Sequence, residues 1–160
     1  MCDYSLINVP NRLATEGEEL VIHRFPTGSL GFASSSDLCM AEVTRARPEG
    51  IWSALKKLFD PLPKADVVPA VCVPPGACLM LQDIPTRLQR DLEIGATEEV
   101  IFTQLSASEY TYRDAIRFKN GCEMLLQKLS EGQRAKVIDL SSREAFEPPH
   151  GRSESVFHYS

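Results

Sequence analysis

The chain has no long uninterrupted apolar run. Its most apolar stretch, residues 67–81, is broken by Pro69, Pro74 and Pro75, and is too short and too interrupted to cross a bilayer as a helix. The opening Met1-Cys2-Asp3-Tyr4-Ser5 carries neither the positive region nor the apolar core of a secretory signal. No basic run with interleaved aromatics occurs, and 17 Lys and Arg stand against 22 Asp and Glu, for a net charge of -5. That balance argues against nucleic acid as a partner. Cysteine is present but sparse: the five form no C-x-x-C pair, and their number is odd. A disulfide framework is therefore not expected, and a reducing cytoplasm fits. No G-x-S-x-G, Walker A, Rossmann fingerprint or H-E-x-x-H occurs. These absences turn the reading away from membrane, secreted, nucleic-acid and familiar catalytic classes.

What is present reads first as architecture. The 160 residues, 43% of them hydrophobic and 24% charged, suffice for one domain with a real core. Residues 1–140 are expected as a single β-rich domain and 141–160 as a polar tail. The strongest local signal is Asn120-Gly121 between two β-compatible runs, the mark of a two-residue type I′ hairpin. That loop predicts the pairs Lys119 with Cys122, Phe118 with Glu123, Ile116 with Leu125, Asp114 with Gln127 and Tyr112 with Leu129. Tyr112, Ile116, Phe118, Leu125 and Leu129 would share the core face. Asp114 would lie among them, where a carboxylate must be hydrogen-bonded or paired. Glu131-Gly132 marks a second turn, into a strand over 133–140.

Earlier in the chain, residues 19–25 and 30–33 predict a hairpin about Pro26-Thr27-Gly28-Ser29. Residues 34–37 read as a polar break. Residues 48–59 carry the best helical pattern, with Pro48 in the first turn and Ile51, Leu55, Leu58 and Phe59 on one face. Residues 67–73 and 78–81 read as strands around a Pro74-Pro75-Gly76-Ala77 turn. Residues 84–92 suggest a short helix capped by Asp83, and 98–105 a further strand. The expected fold is mainly β, a small antiparallel barrel or sheet of seven to nine strands with one or two helices.

Four segments carry a resemblance: M-C-D-Y-S at the start, A-V-C-V-P-P-G at 70–76, Y-R-D-A-I-R-F-K-N-G at 112–121 and G-Q-R-A-K-V at 132–137. Together they resemble a group of short bacterial proteins that open with M-C-D-Y-S. The resemblance spans most of the chain outside the 48–59 helix and the tail. It implies neither an activity nor a fold, and it places Cys2, Asp3, Cys72 and Asp114 inside matching segments. In that group histidine can stand where this chain has Tyr112 or Arg113, a departure that weakens the case for a complete metal site here.

Chemistry has to be sought in single residues. Cys2, freed by removal of Met1, would suit an amine-activated nucleophile, but the Gly-rich opening of the amidotransferases is missing. Its plain alternative is a small packed hydrophobe. Cys2, Asp3, His23, Cys72 and Asp114 would suit a transition metal such as zinc, iron or copper, yet no two of them have ligand spacing. His23, on a strand face with Val21 and Phe25, reads more simply as a core histidine. A Cys72–Cys78 disulfide would depend on the turn register and is not expected. Three functions remain open. The first is a non-catalytic cytoplasmic module or accessory subunit that binds a protein partner or a second copy of itself. The second is a thiolate and carboxylate metal-binding or redox protein, in which Cys2 lies near Cys72 or Asp114. The third is a cysteine-nucleophile enzyme.

Overall fold

A computed structural model describes residues 6, 8–46, 67–105 and 112–141. The expected helix over 48–59, and Cys2 and Asp3, lie outside the described residues. The strands are β1 (Asn11–Leu13), β2 (Glu19–Arg24), β3 (Leu30–Ser34), β4 (Ala70–Cys72), β5 (Cys78–Gln82), β6 (Glu98–Gln104), β7 (Asp114–Phe118), β8 (Glu123–Leu125) and β9 (Arg134–Asp139). Among the described residues two α-helices accompany them, α1 (Ser35–Ala46) and α2 (Thr86–Leu92), with a 3-10 turn at Leu126–Lys128. Seven strands form one antiparallel sheet in the order β3-β2-β9-β5-β6-β7-β8, and β1 pairs with β4 in a separate parallel ladder. No helix among the described residues is long and apolar enough to cross a membrane.

Period-2 alternation builds the main core. Leu20 and Ile22, Leu30 and Phe32, Leu79 and Leu81, Val100 and Phe102, Ile116 and Phe118, and Ala135 and Val137 all point to one face and bury there together. The sheet curls around them. Phe32 of β3 and Phe102 of β6 stand four strands apart in the sheet order, yet their rings lie 6.3 Å apart, tilted by 55°. The curl brings the 3-10 turn to the β3 edge. There Gln127 mimics a strand: its Oε1 accepts from Leu30 N–H at 3.0 Å and its Nε2 donates to Leu30 C=O at 2.7 Å. The described sheet thus stays open, with one side-chain amide bridging its two edges, rather than closing as a barrel.

The main hairpin forms where expected, but its register is one residue off. Ala115 pairs with Leu125, Ile116 with Met124 and Arg117 with Glu123. Phe118 and Cys122 close a three-residue loop, with Cys122 C=O accepting from Phe118 N–H at 2.8 Å and Phe118 C=O accepting from Gly121 N–H at 2.9 Å. A type I′ turn needs positive φ at both central residues; here Gly121 has φ of 85° and Asn120 does not share it. The slip moves alternate side chains to the other face. Met124, not Leu125, packs against the core, Leu125 is only half-buried, and Tyr112 is exposed. The expected strand over 123–129 ends at Leu125, and the 3-10 turn then delivers Leu126 to the interior. The β2–β3 hairpin repeats the three-residue geometry, with Phe25 N–H donating to Ser29 C=O and Gly28 at a φ of 83°.

Three further expectations are corrected. Residues 34–37 do not break the chain: α1 starts at Ser35, with Asp37 in its first turn and Arg45 in its last, both suited to the helix dipole. Asp83 does not cap α2. It takes a left-handed φ of 54° and pairs with Arg134, while Pro85 holds the cap position. β4 and β5 form no hairpin, because β4 leaves to pair with β1 and β5 joins β6 and β9.

A second, smaller core lies between the parallel ladder and the main sheet. Leu6, Val9, Phe25, Ala33 and Ala70 bury there, with Leu38 of α1 and Val68 packed against them. Gly31 permits the approach: a Cβ at that position would meet Leu6 Cδ1 at 2.6 Å and the Phe25 ring at 3.3 Å.

Candidate functional site

The residues singled out from the sequence do not converge on one described centre. Asp114 faces the core beside Ile116, nearly buried, and Gln104 Nε2 donates to its Oδ1 at 2.9 Å. Gln104 is its direct cross-strand partner on β6. A glutamine does serve this carboxylate, as the sequence reading allowed, but it is Gln104. Gln127, the partner the two-residue loop required, is engaged with Leu30. His23 points to the opposite side of the sheet from Ile22. Its ring meets Phe25 edge-on at 5.0 Å, and burial holds its pKa below the usual histidine value. His23 is half-buried rather than enclosed in the core. In the strand order His23 and Asp114 are separated by β9, β5 and β6, and they occupy opposite faces. Among the described residues no three His, Cys, Asp or Glu side chains gather as a metal shell.

The cysteines divide. Cys39, Cys78 and Cys122 are free thiols, whereas Cys72 is disulfide-bonded. The expected absence of a Cys72–Cys78 bond therefore holds, while Cys72 is bonded although the sequence predicts no disulfide framework. A sulfur in a disulfide has no thiolate to offer a metal, so Cys72 belongs to a ligand set only when reduced. Cys78 is fully buried and its thiol donates to Glu99 Oε1 at 3.3 Å, while Lys119 Nζ reaches Glu99 Oε2 at 3.2 Å. The Glu98-Glu99 pair is thus tied down on both members, since Glu98 also accepts from Gly95 N–H at 2.7 Å.

The densest polar constellation is one the sequence reading did not single out. Arg12 of β1 spans Glu18 and Asp37, with Nη2 at 2.5 Å from Glu18 Oε1 and 3.0 Å from Asp37 Oδ2. Glu18 also accepts from Thr15 N–H at 2.9 Å, and Ser34 and Ser36 share a hydrogen bond at 2.8 Å beside it. Arg12, Thr15, Glu18, Ser34 and Ser36 line an open depression at the start of α1. The arrangement ties the parallel ladder to α1 and to the loop before β2. It has the form of a structural clasp, because its one guanidinium is already held by two carboxylates. No local sequence signal could have found it, since its members come from positions 12, 18, 34 and 37 and meet only through the fold.

Burial raises the Glu18 pKa, but the hydrogen bonds from Arg12, Thr15 and Ser34 outweigh it and hold the group below the usual value of 4.5. A lowered folded-state pKa stabilises the fold above the unfolded value, and that stability is lost as pH falls through the folded value. Denaturant titrations from pH 6 to pH 2 are therefore expected to show a loss below about pH 4.5 that Glu18→Gln flattens. Parallel profiles for the two proteins would exclude this role for Glu18.

No protein-family model, no curated protein and no solved structure matches the chain.

Proposed function

We propose that the chain is a non-catalytic cytoplasmic binding module, an accessory subunit that engages a protein partner or a second copy of itself through the outer face of α1. One observation carries the reading. Met40 and Val43, one turn apart on α1, are 66% and 53% exposed, while Leu38 on the same helix packs into the second core. Residues at i and i+3 lie on one helix face. A pair of apolar anchors at that spacing is the unit by which a helix seats in a partner's groove. The interior of the curled sheet, where a β fold would otherwise hold a small ligand, is filled by Phe102, Leu20, Ile22, Leu79 and Ile116.

The test is a double substitution, Met40→Asp with Val43→Asp. Both side chains are exposed, so the folded state is expected to change by no more than about 0.5 kcal/mol for each substitution. Sedimentation velocity reads self-association, and affinity purification followed by reconstitution from purified components reads a partner. The double variant is expected to weaken the complex at least ~10-fold, about 1.4 kcal/mol. Unchanged affinity would remove α1 from the interface.

A further inference from the structure

We propose that Asn120 latches α2 to the β7–β8 hairpin and is a modification site: deamidation undoes the latch, and the closed hairpin loop holds that reaction off. Asn120-Gly121 is the chain's strongest turn signal, and the dipeptide carries a chemistry of its own. With no side chain on the glycine, its backbone nitrogen can attack the carboxamide carbon of the asparagine. A C–N bond forms, the bond to the side-chain nitrogen breaks and ammonia leaves. Water then opens the cyclic imide at one carbonyl or the other, giving aspartate or isoaspartate. No oxidation or reduction is involved.

Asn120 is exposed, yet every group the reaction needs is held. Gly121 N–H donates to Phe118 C=O at 2.9 Å, which engages the attacking nitrogen. Asn120 Oδ1 accepts from Cys122 N–H at 3.0 Å, and its Nδ2 donates to Leu92 C=O at 2.8 Å. Attack requires the carboxamide to leave both partners, and so requires local opening of the loop. The bond to Leu92 is the latch. Leu92 ends α2, and its carbonyl is among those a helix terminus leaves without an intrahelical partner. Among the described residues no other hydrogen bond or ion pair joins residues 86–92 to a strand. None of them is fully buried, and the chain leaves the helix through Glu93 at a left-handed φ of 56°. Half-buried Leu88 and Leu92 supply the apolar hold on the main core. Aspartate at position 120 would keep the bond from Cys122 and lose the donor to Leu92. It would also set a carboxylate against a carbonyl oxygen at the negative end of a helix. Isoaspartate would further lengthen the backbone of the three-residue loop. The inference stands whether or not the outer face of α1 binds a partner.

The experiment incubates the full chain at neutral pH, folded in buffer and unfolded in urea. Peptide mapping resolves the asparagine, aspartate and isoaspartate forms at position 120, and a synthetic peptide of residues 116–124 in both solvents corrects for urea. Deamidation of the folded chain is expected to be at least ~10-fold slower than that of the unfolded chain. Equal rates overturn the protection. Hydrogen exchange then compares the parent, the deamidated protein separated by its added charge, and Asn120→Asp. The Ile94 amide donates to Gln89 C=O at 2.9 Å at the end of α2. It is expected to lose protection about 5-fold or more in the last two samples, and the Leu79 and Phe102 amides to keep theirs. Unchanged exchange at Ile94, or equal loss throughout the sheet, overturns the latch. Asn120→Ala removes the donor without adding charge and is expected to release Ile94 as well. Full protection of Ile94 in that variant would assign the effect to charge alone and overturn the latch.

Discussion

Phe102→Ala is expected to cost about 3–5 kcal/mol, the usual range for emptying a buried aromatic site. Phe102 is the largest of the fully buried side chains and reaches across the curled sheet to Phe32. Its backbone stays anchored, because Gly76 N–H donates to Phe102 C=O and Phe102 N–H donates to Ala77 C=O, each at 2.8 Å. The cavity therefore has little freedom to collapse, which favours the upper part of the range. Small domains commonly hold only 5–15 kcal/mol in total, so the variant is expected to fall near its folding threshold at 37 °C. Urea denaturation measures the loss directly. A cost below about 1.5 kcal/mol would mean that the interior relaxes around the gap and that the Phe32–Phe102 contact does not hold the curl.

The second large effect is expected at Gln127. Replacement by leucine keeps most of the volume but strips both hydrogen bonds from Leu30, which is itself buried. Each orphaned buried backbone group costs about 1–3 kcal/mol, so Gln127→Leu is expected to lose roughly 2–5 kcal/mol and to loosen the β3 edge. Gln127→Glu separates the bonds from simple bulk. A protonated carboxyl can accept from Leu30 N–H and donate to its C=O, whereas a carboxylate would face that carbonyl oxygen with no proton between them. The folded-state pKa of this new acid is expected to be raised. Its stabilisation is then present below the unfolded value of about 4.3 and lost as pH rises through the folded value. Melting temperatures recorded between pH 3.5 and pH 7.5 should show Gln127→Glu closest to the parent at the acid end. The same deficit at every pH would indicate that shape, rather than the paired hydrogen bonds, matters at this position.

How far the sequence foretold this molecule depends on whether the signal was local. The β2–β3 and β7–β8 hairpins were legible because Gly28 and Gly121 punctuate strand-forming runs. The register at Asn120-Gly121 was not, because the dipeptide serves a two-residue turn and a three-residue loop with a glycine bulge equally well. Only the φ of Asn120 separates them, and the single slipped residue exchanged Leu125 for Met124 in the core. The start of α1 was hidden for a related reason: Ser34-Ser35-Ser36-Asp37 has the composition of a loop and of a helix entry alike. The β1–β4 ladder and the clasp around Arg12 join residues 58 or more positions apart in the first case, and depend on three elements meeting in the second. No periodicity within one segment encodes such a meeting. Asp114 was legible as a carboxylate that needed a partner, since its neighbours at 116 and 118 are apolar; which glutamine would answer it turned on the register.

The position of β9 governs the order in which the protein can be assembled. It is the last strand in the described chain, yet it stands between β2 and β5, pairing with both. Until residues 134–139 are available, the hairpin of β2 and β3 has no strand ladder to the group of β5, β6, β7 and β8, and among the described residues only the Gln127 side chain links them by hydrogen bonds. A ribosome-bound chain would carry two separate half-sheets, each with an open edge awaiting the same insert. Joining them requires contacts distant in sequence, Glu19 with Lys136 and Leu20 with Ala135 among them, and such closures are slow. During that interval the two unpaired edges are templates for strands of other molecules. Yield on expression should therefore respond more steeply to substitutions in β9 than their cost to the finished fold would suggest.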